Sequence, residues 1–318
     1  MHARTCCLML ACCALTAQAA DYVPREPEQW ERENAWRLSS SAKTRAHEIE
    51  LLQRVRAGDS GQTLASLQAV DQDPDLSAPA RERLLFEFVN ALRHEPPQAV
   101  DQRVMQYLAE YPSTVYVPHE DHPRTLVPLF SIGTVTAGVV HGWTREESAL
   151  RGSLLLARDA RELVERYVAA THTPEQRGLL DAMVTATPAQ RDEAASVALE
   201  GLNETPALAE LVGTAALLNE DALMMERLLT HARAEGLHRL LRESARRFEA
   251  DLNAHLLFTA LDQGEPGVAS LAIAELAPAL MGHAATLERL FVELSVPATG
   301  AAAALALAGS ADPAVLTR

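Results

Sequence analysis

The chain has 318 residues and sets 43 acidic side chains against 28 basic ones, a net charge of −15, which makes nucleic acid and anionic lipid surfaces poor partners. Aromatic residues make up 4% and apolar residues 48%, so its core must be built mostly from Leu, Val and Ala, small enough to let helices approach closely. Lys43 is the only lysine beside a heavy use of alanine, the residue usage of a GC-rich bacterial genome.

From the first residue, Met1-His-Ala-Arg4 is a short basic start, Cys6 to Leu15 an apolar run, and Ala17-Gln18-Ala19 a small-x-small cleavage site. Residues 1–19 therefore read as a signal peptide, and the mature chain is expected in the periplasm or secreted. All four cysteines fall within this segment, so the mature chain is expected to lack disulfides, thiolate metal sites and cysteine nucleophiles. A competing reading takes Met9-Leu10-Ala11 as a lipobox, with Cys12 lipidated as an envelope anchor and no other membrane attachment.

Residues 20–57 read as an extended arm carrying Pro24 and Pro27, followed by one helix through Trp30, Trp36 and Ile49 to Val55. Residues 58–145 form a helical region in which Leu84, Leu85, Phe88 and Leu92 share one stripe, interrupted by an irregular loop over 112–127 that holds Pro112, Pro118 and Pro123. Thr125 to Thr144 has no formally charged residue and reaches membrane-span length, but Pro128, Gly133, Gly138 and His141 favour a buried central helix over a span. Strand-like alternation is nearly absent. Leu156, Ala160, Leu163 and Tyr167 continue the helical period into residues 146–318.

Pairs of apolar residues follow prolines at a fixed offset: Pro79 with Leu84-Leu85, Pro174 with Leu179-Leu180, Pro206 with Leu211-Val212, Pro266 with Leu271-Ala272, and more weakly Pro297. Proline suits the first helical turn because its backbone angle is already helical and it forfeits no hydrogen bond there. Pro174, Pro206, Pro266 and Pro297 stand 32, 60 and 31 residues apart, which fits a unit of about 31 residues, the length of a helical hairpin, with one proline-free copy near Leu237. With Pro266-Gly-Val-Ala-Ser-Leu-Ala-Ile-Ala-Glu-Leu and Pro297-Ala-Thr-Gly-Ala-Ala-Ala-Ala-Leu-Ala-Leu, residues 174–318 resemble the short bacterial HEAT-like repeats. The usual Asp-x-x-Val-Arg start of the second helix is missing, and paired helices of another kind, such as a tetratricopeptide-like array, compete for the same pattern. The resemblance implies a solenoid; some HEAT-like repeats belong to phycobilin lyases, but an exported chain whose mature part lacks cysteine does not point to bilin attachment.

His119-Glu120-Asp121-His122 is the most chemical-looking string, and metal binding there would need a further ligand, with His141 among the nearest. A solvated, proline-bounded loop accounts for the same residues. Ser40-Ser-Ala-Lys43 matches the S-x-x-K of penicillin-binding proteins, yet with a single lysine no separate K-T-G can exist. Gly58-Asp-Ser-Gly61 reads as a helix stop followed by a Ser60 cap, not as a hydrolase serine. Neither a G-x-G-x-x-G nor a Walker lysine loop occurs, so no cofactor is expected. Tyr107, Tyr111, Tyr116, Phe130 and Trp143 crowd into forty residues, as a partner-contact patch or as large side chains pinning the loop. After an Ala-rich helix the sequence runs out at Asp312-Pro-Ala-Val-Leu-Thr-Arg318, which suggests self-association through an open final repeat, or a small lid of Val315 and Leu316.

The expectation is therefore an all-α protein, an α-solenoid of stacked helical hairpins, that works as an exported scaffold or protein-binding module without catalytic activity. Its acidity favours a basic protein partner. The competing expectation is a metal-binding or hydrolytic protein built around His119 and His122.

Overall fold

The computed structural model describes residues 27–40 and 42–310; the signal segment, Cys12 and residues 312–318 lie outside the described residues. Sixteen α-helices and three very short strands make up the described chain, which divides into two units, Met1–Val139 and Val140–Arg318.

The first unit contains α1 (Arg32–Ser39), α2 (Ala42–Arg56), α3 (Ser60–Gln72), α4 (Ala78–Leu92), α5 (Gln102–Ala109) and the start of α6 (Ile132–Arg158). α4 is its centre. The stripe Leu84, Leu85, Phe88 and Leu92 is at most 1% exposed, and α4 packs on α1, α2 and α3. Where the sequence suggests one helix from Trp30 to Val55, the chain forms two, because Ser40 is extended at the C-cap of α1. Ser39 Oγ donates to the Trp36 carbonyl at 2.8 Å, and Arg83 donates to both Ser39 Oγ and Ser40 Oγ, at 3.3 and 2.6 Å. Serines that bond locally offer the backbone an alternative to the helix, and here that alternative is taken up.

The segment expected to be irregular holds a small sheet. β1 (Glu28–Gln29) runs parallel to β2 (Val115–Pro118), which pairs antiparallel with β3 (Leu126–Pro128) in the register Tyr116↔Pro128, Val117↔Val127, Pro118↔Leu126. Val115 and Val117 point inward and are fully buried with Ala35, while Pro118 and Pro128 stand at strand ends, where a missing N–H costs least. The uncharged stretch 125–144 thus divides between β3 and the opening of α6. No helix among the described residues is long and apolar enough to cross a membrane.

The second unit is a stack of helical hairpins. It comprises the rest of α6, then α7 (Ala160–Ala169), α8 (Thr173–Thr185), α9 (Pro188–Gly201), α10 (Leu208–Asn219), α11 (Ala222–His231), α12 (Leu237–Arg247), α13 (Ala250–Gln263), α14 (Pro266–Leu276), α15 (Ala284–Glu293) and α16 (Gly300–Ala308). α8, α10, α12, α14 and α16 pack each on the next to make one layer; α7 on α9 and α11 on α13 make the other. One continuous core of Leu, Ala, Val and Met runs between the layers from Leu156 to Leu307.

The recurrent prolines open the first-layer helices. Pro174 and Pro266 sit in the first turns of α8 and α14, and Pro206 lies just ahead of α10. Pro188 opens a second-layer helix, α9, behind a Thr187–Gln190 capping box that satisfies donors at both positions. Bonds between neighbouring layer members span sequence separations of 27 to 36 residues: Arg145–Asp181, Glu210–Arg239, Glu226–His255, Arg242–Glu275 and Asp262–Arg289. One hairpin length separates each side chain from its partner.

Two close approaches set the first-layer spacing. A Cβ on Gly178 of α8 would fall on the Arg145 carbonyl oxygen of α6 and lie 2.7 Å from Ser148 Cβ, and a Cβ on Gly213 of α10 would collide with Leu240 of α12.

Candidate functional site

The residues singled out by their chemistry scatter. His119 and His122 lie in the β2–β3 connection with their rings stacked at 5.4 Å, and His119 Nδ1 accepts from the Asp121 N–H at 3.2 Å. His141 is exposed on α6, in the other unit. Among the described residues no three His, Cys, Asp or Glu side chains gather as metal ligands. Lys43 is bound by Asp73 at 2.9 Å and Asp75 at 3.2 Å, and the hydrogen bond to Asp73 raises its pKa, so the ammonium stays protonated and cannot serve Ser40 as a base. At Gly58-Asp-Ser-Gly61, Gly58 takes φ +72°, a helix stop, but the cap is Asp59, whose carboxylate accepts from Gln62 N–H, and not Ser60.

None of the five clustered aromatics is exposed. Phe130 is buried edge-on to Trp36 at 5.3 Å and beside Phe86 at 5.5 Å. Trp143 is 9% exposed, Tyr107 meets Tyr111 at 6.1 Å, and Tyr116 sits half-buried in β2. The Tyr111 hydroxyl donates to Asp71 Oδ1 at 2.9 Å; burial and the nearby carboxylates push its pKa well up. These rings pack the structure.

The second unit carries a groove of about 570 Å³ lined by four helices, α6, α8, α10 and α12. Leu180, Val184, Leu217 and Leu218 supply apolar lining. Charged side chains stand over it in pairs. Arg145 of α6 binds Asp181 of α8 through both guanidinium arms, Nε at 2.5 Å and Nη2 at 2.8 Å; Arg239 of α12 reaches Glu210 of α10 at 3.1 Å; Arg247 bonds Glu243 at 2.7 Å within α12. Burial, and then the same Glu210, raise the pKa of the Tyr167 hydroxyl. Arg177, exposed on α8, lines the groove with no ion-pair partner among the described residues.

These residues follow the repeat. Arg145, Arg177, Glu210 and Glu243 stand 32, 33 and 33 positions apart, and Asp181, Thr214 and Arg247 stand 33 and 33 apart. Proline and apolar positions carry the period legibly, but the charged positions lie on exposed helix faces, where a solvated charge looks the same as a groove-lining one. Projecting the hairpin period onto the charged residues is the signal that would have found them.

No family of known proteins, no characterised protein and no solved structure matches the chain.

Proposed function

We propose that the chain is a helical-repeat binding module that receives an extended segment of another protein in the groove across α6, α8, α10 and α12, and that it performs no catalysis. One observation carries this reading: charged side chains recur at the hairpin period along four consecutive helices, with apolar lining from α8 and α10 between them, a linear arrangement suited to a linear ligand. An active site instead converges groups on one point. The reading of residues 1–19 as a signal peptide supports a module that works in the periplasm or is secreted, with Cys12 as the anchor if that cysteine is lipidated.

Val184 is 60% exposed inside the groove and Val292, 61% exposed on α15, lies outside it. Purified from its native envelope, the chain is expected to bring down one protein in stoichiometric amount. Val184→Asp should lose that protein while Val292→Asp keeps it, because only the first places an unpaired charge on the apolar lining. Identical captures from the two variants would refute the module.

A further inference from the structure

The charge of the groove is opposite to that of the chain. Four arginines line it against three carboxylates, in a protein with a net charge of −15. Each carboxylate is already neutralised: Asp181 by Arg145, Glu210 by Arg239 and Glu243 by Arg247. Arg177 stands one turn before Asp181 on α8, close enough in sequence for an i,i+4 pair, yet Arg145 occupies both Asp181 oxygens. The remaining guanidinium therefore faces the groove as its uncompensated charge.

We propose that the segment received by this groove is acidic: an extended peptide whose carboxylate pairs with Arg177 while flanking apolar side chains cover Leu180, Val184 and Leu217. This rests on the binding-module reading and specifies its ligand. A guanidinium takes a carboxylate through two parallel hydrogen bonds, and a lysine or arginine in the same place would meet a like charge. Net charge alone favours a basic partner, but at about 0.15 M salt the screening length is roughly 8 Å. Distant acidic surface is damped at that range, and Arg177 at contact distance is not.

The test measures fluorescence anisotropy of the full chain with short labelled peptides that repeat Glu-Leu-Gly-Ser, and with counterparts carrying Lys or Gln in place of Glu. The Glu peptide should bind most tightly and weaken as salt rises. Arg177→Glu should cost about tenfold or more in affinity. Arg233→Glu makes the same charge change on an exposed residue outside the groove and should leave affinity unaltered. Both positions are exposed, so both variants should fold, which circular dichroism checks. Equal binding of the Lys or Gln peptide, or an Arg177→Glu variant that binds the Glu peptide like the parent chain, overturns the acidic ligand and leaves the module standing. Binding of none of the three also overturns it, and the module reading is then decided by native capture with Val184→Asp.

Discussion

Glu82 is fully buried on α4, and its Oε1 holds the first residues of β2, accepting from Thr114 N–H, from Thr114 Oγ1 at 3.0 Å and from Val115 N–H at 3.1 Å. Its Oε2 is buried and has no hydrogen-bond partner among the described residues. Burial raises this carboxyl from 4.5 to about 7, against the opposing pull of those hydrogen bonds and of Arg81. The folded chain therefore keeps a proton that the unfolded chain releases between about pH 4.5 and 7. The contribution of this group to stability is largest below 4.5, falls as pH rises through that window and levels off above 7, a change of about 3 kcal/mol. Glu82→Gln retains an oxygen for Thr114 and Val115 and cannot ionise. Thermal melts of parent and variant from pH 4.5 to 8 should diverge, with the variant the more stable at pH 8 and the gap shrinking towards acid. Parallel curves would show that Glu82 does not titrate in this range.

Helix packing in the second unit depends on small residues at particular crossings. At Gly178, added volume meets the backbone of α6, at Arg145 and 3.0 Å from the Ala149 nitrogen, which cannot rotate away as a side chain could. Alanine there should cost about 1–3 kcal/mol from overpacking, more than the ~1 kcal/mol it regains in helix propensity. Gly142, exposed on the same α6 with nothing within 4 Å of its absent Cβ, is the control, and Gly142→Ala should stabilise by about 0.5–1 kcal/mol. Urea midpoints should move in opposite directions for the two variants; a shared direction would mean that the α6–α8 contact yields.

At this scale the sequence is informative where burial is periodic and mute where it is not. The stripe of α4 and the prolines at the starts of α8, α10 and α14 are legible because one buried face repeats every helical turn and the hairpins repeat in turn. The sheet is not, since its strands have two, four and three residues and only Val115 and Val117 show the alternation. Nor is the break at Ser40, which depends on Arg83 arriving from forty-three positions away. In the groove, Arg145 and Asp181 are ordinary surface charges until α6 and α8 bring them together.

A stack in which each hairpin buries only against its neighbours has a stability that varies along its length, because a helix flanked on both sides loses more contacts on opening than one flanked on a single side. α10 packs on α7, α8, α9, α11 and α12, and Leu211, Val212, Ala215 and Ala216 are each at most 1% exposed. Among the described residues α16 packs chiefly on α14 and α15; Ala303 and Leu307 are buried, whereas Leu305 is 76% exposed. α10 also forms one wall of the groove, so that wall lies in a heavily packed part of the unit, as the proposed binding of a segment there would require. Hydrogen exchange followed by mass spectrometry should find the slowest amides in α10 and α12 and the fastest in α16, with rates stepping up helix by helix through α14. Uniform protection from α8 to α16 would instead mean that the unit opens as a single block, and nearest-neighbour burial would then be the wrong account of what holds the stack together.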